Sequence, residues 1–123
     1  MNKIQVDMYA VGLGAAILVQ YRLEDGKVVR VLADGGMGHG GYPVDGVHDR
    51  IADAFTSFGD DESRIDLIIG THYDGDHLKG LVPIAEDDSL QIGEVWLPPI
   101  RDDSDEVPGH ISEDSGFLAH KFF

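Results

Sequence analysis

The chain has 123 residues, room for one small domain with a real core and not for two. Its 42% hydrophobic and 26% charged content is ordinary for a soluble globular protein and excludes wholesale disorder. Twenty-three acidic residues against nine Lys plus Arg give a formal net charge of -14, a field that disfavours non-specific phosphate binding by this chain alone.

Cysteine is absent, which removes disulfides, thiolate zinc sites and cysteine nucleophiles together and fits a reducing compartment. Near the N-terminus, Asp7 falls where a signal peptide needs an apolar stretch, and no apolar run approaches the roughly 20 residues of a membrane span. The expectation is a soluble, cytoplasmic protein with no membrane partner.

In chain order, Lys3 to Tyr9 alternates, Ala15 to Arg22 is an apolar run rich in branched residues, and Lys27 to Ala33 is another. These predict three strands, with Glu24-Asp25-Gly26 as the hairpin turn between the last two. Asp34-Gly35-Gly36 ends the third strand, and six glycines between 35 and 46 make the next stretch a loop. Val47 to Phe58 reads as an amphipathic helix with Val47, Ile51, Ala54, Phe55 and Phe58 on one face, stopped by Gly59-Asp60-Asp61.

Ile65 to Ile69 is a short buried strand running directly into Gly70-Thr71-His72. A second helix is expected from near Asp76 to about Ala85, limited by Pro83. Gly93 to Leu97 is the next strand, closed by Pro98-Pro99, with Trp96 expected in the core. Beyond Ile100, Arg101 to Glu106 is a charged loop, Pro108 to Phe123 has weak periodicity, and Phe122-Phe123 forms an apolar end. The order of elements predicts a mixed α/β layer structure.

Between 72 and 77 stand two histidines and two aspartates, His72, Asp74, Asp76 and His77. Imidazole and carboxylate are the ligand set for Zn, Mn or Fe when thiolates are absent. Alternation in an extended loop lets His72 and Asp74 point one way, and a turn at Gly75 can bring Asp76 and His77 to a second position. Taken singly, Asp76 could be a helix N-cap and Asp74-Gly75 an ordinary turn. Four such residues at the carboxyl end of a buried strand point instead to metal. Competing motifs fail on context. Gly12-Leu13-Gly14 is followed by a strand and lacks the third glycine of a dinucleotide turn. The glycine-rich loop around His39 lacks the Lys-Ser/Thr of a phosphate loop, and His39 is expected to be solvent-exposed.

Thr71-His72-Tyr73-Asp74-Gly75-Asp76-His77-Leu78-Lys79-Gly80 resembles the first ligand loop of the metallo-β-lactamase superfamily, His-x-[His/Asp]-x-Asp-His followed by Gly. Asp74 stands where most of the family has His, a variant found in the ComEC-like competence-protein branch. Val11 to Val19 resembles the opening strand-turn-strand of that branch, with Ala15 where a polar residue is usual. Leu32-Ala33-Asp34-Gly35-Gly36 resembles its strand ending in Asp-Gly. The match runs in order over roughly residues 4 to 99.

The resemblance implies the N-terminal half of an αββα sandwich over residues 1–100, with 101–123 beginning an insertion or the second half. It implies two divalent ions, Zn or Mn, with His72 and Asp74 on one and Asp76 and His77 on the other. Asp76 would also act catalytically by positioning a metal-activated hydroxide, while Asp34 and Thr71 would orient the ligands from behind. The implied activity is that of a metal-dependent hydrolase, a phosphodiesterase or nuclease with a nucleic acid or nucleotide as substrate. Later family ligands have no counterpart, since neither His110 nor His120 follows an apolar strand. The expectations are therefore one uncovered sheet face, an inactive isolated chain, and completion of the site by a missing C-terminal half or another chain. The alternative is a non-catalytic module of the same fold that serves assembly in a larger complex.

Overall fold

The structure, a computed structural model, describes residues 3–9, 15–36, 46–73 and 75–99, the side chains at 75 and 76 excepted. The Gly12-Leu13-Gly14 turn, His39, Asp74, His110, His120 and the proposed boundary at 100/101 lie outside the described residues.

Three strands, β1 (Lys3–Met8), β2 (Ile17–Arg22) and β3 (Val28–Ala33), pair antiparallel, with Val6, Val19 and Val31 side by side. Two more, β4 (Arg64–Ile69) and β5 (Gln91–Trp96), continue the sheet parallel to β3, so the five strands lie in sequence order in one mixed sheet. A short turn suffices between antiparallel β2 and β3, whereas parallel neighbours need crossovers. Helix α1 (Val47–Phe58) carries the first crossover, and α2 (Gly75–Leu78) with α3 (Leu81–Glu86) carries the second.

The apolar stripe of α1 is the one its periodicity predicts: Val47, Ile51, Ala54, Phe55 and Phe58 are buried. Gly59, at φ 95°, ends the helix in the left-handed conformation and donates its N–H to the Thr56 carbonyl at 3.0 Å. Leu18, Leu32 and Ile68 of the sheet meet Ile51 and Phe55 of α1 and Leu78, Leu81 and Ile84 of α2 and α3. All three helices therefore cover the same face. Each such side chain contributes roughly 1.5–3 kcal/mol by leaving water, so this layer holds the fold.

The opposite face is apolar and exposed among the described residues. Ile4, Val6 and Met8 alternate along β1 at 69%, 56% and 77% exposure. Trp96 does not join the core as its sequence context suggested; it is 58% exposed. It pairs with Ile69 on the uncovered face, while its neighbour Val95 takes the place against the core. Its indole N–H donates to the Glu94 carboxylate at 3.2 Å.

The expected single helix from Asp76 to Ala85 is two short ones. The break falls at Lys79-Gly80, where the backbone turns to bond elsewhere: Gly35 N–H donates to the His77 carbonyl at 2.7 Å, and Gly80 N–H to the Gly36 carbonyl at 2.9 Å. A Cβ on Gly80 would lie 1.6 Å from the Gly35 oxygen, so only glycine permits this approach. Pro83 does not terminate a helix; it sits in the first turn of α3, where its missing N–H costs nothing.

One buried charge organises the lower sheet. Arg30, fully buried, donates Nε to Gln20 at 2.9 Å, Nη1 to the carbonyls of Glu62 and Arg64 at 2.6 and 3.1 Å, and Nη2 to the Asp60 carbonyl. Its guanidinium lies 3.8 Å from the Phe55 ring centroid. Burial pulls its pKa down from the usual arginine value, with Asp60 opposing. No helix among the described residues is long and apolar enough to cross a membrane.

Candidate metal centre

The loop 70–77 leaves the carboxyl end of β4, beside the carboxyl end of β3. Open α/β sheets gather ligands at such ends. The first residue past β3 is Asp34, 3% exposed and held at φ 60°, a left-handed conformation that Asp tolerates better than most residues. Its N–H donates to the Ile69 carbonyl at 2.8 Å, fixing it against the last residue of β4.

From there Asp34 accepts three hydrogen bonds. Oδ1 takes the Thr71 N–H at 2.8 Å, and Oδ2 takes the Thr71 hydroxyl at 2.6 Å and lies 2.9 Å from His77 Nδ1. The Thr71 oxygen also lies 2.8 Å from His72 Nδ1. A hydroxyl has one proton. If Thr71 gives it to Asp34, His72 Nδ1 must carry a proton and donate to the Thr71 oxygen. His77 Nδ1 must likewise carry a proton, because a carboxylate only accepts. In the neutral form each ring then carries no proton on Nε2, the tautomer in which imidazole binds metal through that atom. The rings are 4.9 Å apart between centroids and tilted by 42°.

Of the sequence-predicted site residues, the structure brings together Asp34, Thr71, His72 and His77. Asp76 follows Gly75 into α2 and directly precedes His77, but its side chain, like all of Asp74, lies outside the described residues. Among the described residues no group of three or more His, Asp or Glu side chains is placed to hold a metal ion. The two imidazoles are nitrogen donors of a kind that fits a borderline divalent cation such as Zn.

Two contacts had no reading in the sequence. Tyr73 packs against the core and donates its hydroxyl to the Pro98 carbonyl, and burial pushes its phenol above the usual tyrosine value. Elsewhere, His48 Nε2 meets Asp87 Oδ2 at 2.9 Å, tying α1 to the turn before β5. The Ser89 hydroxyl and His48 together hold the Asp87 carboxyl down at about 2.

No family model and no curated protein matches the chain. Among solved structures it is similar to AidC, a dizinc quorum-quenching lactonase in complex with a product, at 22% identity and a TM-score of 0.36. That similarity covers 55% of this chain and 21% of the lactonase chain, so this chain spans about a fifth of that structure.

Proposed function

We infer that this chain carries part of the active site of a metal-dependent hydrolase of the metallo-β-lactamase type, in the N-terminal half of an αββα sandwich. One observation carries the reading: Asp34 and Thr71 engage Nδ1 of two adjacent imidazoles, which favours the tautomer with no proton on Nε2 in both rings. His72 and His77 would be the nitrogen ligands, with Asp74 and Asp76 adding carboxylate oxygens. Two imidazoles and two carboxylates suit Zn or Mn. Bound there, two divalent ions would supply positive charge at the reacting oxygen and acidify a water. Asp76 would help to position the metal-activated hydroxide, and the Asp34 carboxylate orients the His77 ring through Nδ1.

The substrate class that goes with the Asp74 variant is a phosphodiester, in nucleic acid or a nucleotide, in the cytoplasm. At a net charge of -14, the basic residues that attract such a polyanion belong to another segment or another chain, as do the remaining metal ligands. The test is metal content after dialysis against Zn or Mn, for the chain and for an Asp76→Ala, His77→Ala variant, with hydrolysis of a chromogenic phosphodiester alongside. The reading expects metal retained by the first and lost by the second, with little turnover by either. Equal metal content in both would sink it.

A second reading, a non-catalytic assembly module, is favoured by the exposed apolar residues of the uncovered face, the row Ile4, Val6 and Met8 on β1 and Trp96 on β5. Under it, metal content would be negligible in both proteins, and substitution of that row by lysine would abolish complex formation.

A further inference from the structure

The contacts around His72 go beyond Asp34. Gly70 N–H donates to the Trp96 carbonyl at 2.9 Å, and a Cβ at Gly70 would come within 2.6 Å of Leu97 Cδ2 and 3.0 Å of Leu78 Cδ2. The loop thus leaves β4 pressed against the end of β5. Thr71 is then fixed by Asp34 on one side. Tyr73 returns to the β5 side, where its ring packs on the core and its hydroxyl donates to the Pro98 carbonyl. His72 lies between these two anchors and is itself exposed. Among the described residues, its ring is met by the Thr71 hydroxyl and the His77 ring.

The geometry points to Tyr73 as a positioning residue for the metal site: its bond to Pro98 sets the backbone of the ligand loop so that the His72 ring stands beside His77. This rests on the reading of His72 as a ligand. The bond spans 25 residues and links the loop after β4 to the segment after β5. A loop held only by Thr71 could pivot about residues 72 and 73, carrying the His72 ring away from His77; the Tyr73 anchor restricts that pivot. A tyrosine whose ring served the core alone would need no hydroxyl. Here the hydroxyl satisfies a carbonyl that follows the last residue of β5.

Tyr73→Phe removes one oxygen and leaves the ring in the core, so the full chain is expected to fold with a midpoint lowered by no more than about 5 °C. The 4.9 Å ring separation predicts a proton–proton contact between His72 and His77 by NMR in the metal-free parent; in the metal-free variant it is expected to be lost, and exchange of the His72 amide to quicken. Titrated with Co(II), the variant is expected to bind about ten-fold more weakly, with a weakened visible absorption band. Retention of the ring contact and of Co(II) affinity within about two-fold would overturn the role of Tyr73. If the parent itself binds no Co(II), the metal reading fails and the ring contact alone decides. Its loss in the variant upholds Tyr73 as the residue that places His72, and its persistence refutes it.

Discussion

Replacement of Asp34 by Asn keeps the shape of the side chain and the tolerance for φ 60°, but exchanges one acceptor oxygen for a donor. Oδ1 meets a backbone N–H that cannot reverse, so the new amide nitrogen must occupy the Oδ2 position, facing the Thr71 hydroxyl and His77 Nδ1. The hydroxyl then turns to accept from Asn, and its proton points at His72 Nδ1, 2.8 Å away, which must shed its own. His77 Nδ1 must also become an acceptor. Both rings invert, moving their protons to Nε2 and closing the nitrogens proposed to bind metal. The site at position 34 is 3% exposed, so water does not restore the lost partners. Three bonds to a charged acceptor become bonds to a neutral amide, a loss of about 2 kcal/mol in total, or about 8 °C in midpoint for a domain of this size. Asp34→Ala leaves three donors unmatched and places Ala at a positive φ, for a loss of about 4 kcal/mol. Long-range ¹H–¹⁵N correlation on metal-free protein near pH 8, where an ordinary imidazole is neutral, reads the tautomers directly. Two rings still protonated at Nδ1 in Asp34→Asn, with an unchanged midpoint, would refute the proton arrangement.

Arg30→Ala strands Gln20 and three backbone carbonyls and opens a cavity over Phe55, so urea denaturation is expected to show a loss of roughly 3–5 kcal/mol; a loss under about 1 kcal/mol would contradict its place as the hub of the lower sheet. Asp87 titrates at about 2 in the folded chain against 3.8 ordinarily, so its contacts stabilise the fold above pH 4 and are lost as pH falls from about 4 to 2. Midpoints measured across that window should fall less steeply in Asp87→Asn than in the parent. The difference is modest, because the side chain is 29% exposed, and parallel curves would rule the contribution out.

The strands and α1 were legible because each depends on local pattern: alternation in β1, branched runs in β2 and β3, a 3.6-residue stripe in α1. The split between α2 and α3 was not, because its cause is Gly35, 45 residues away in sequence from Gly80, and no local signal carries that contact. Trp96 misled for a related reason. Alternation divides β5 into two faces without saying which of them the helices cover. Arg30 did leave a trace in the sequence. It shares the parity of Val28 and Leu32, all three buried, and the hairpin register pairs it with Gln20, so a charge and its amide partner could have been placed in the core together. The proposed ligand loop was read as a set of residue types in a spacing, and of its four residues the structure describes the side chains of His72 and His77. Its hydrogen-bond frame was only partly so, since Asp34 came with a recognisable strand ending while the Tyr73 bond to Pro98 had none.

The central proposal is that His72 and His77 bind a metal through unprotonated Nε2 atoms while their Nδ1 atoms keep their protons and donate them to Thr71 and Asp34. Titration of the ¹⁵N-labelled chain with Zn(II), followed at all four ring nitrogens, tests it most directly. The account predicts large shifts at both Nε2 atoms with both Nδ1 protons retained. Zn(II) that leaves both Nε2 signals in place, or that binds through Nδ1 and displaces those protons, would contradict it.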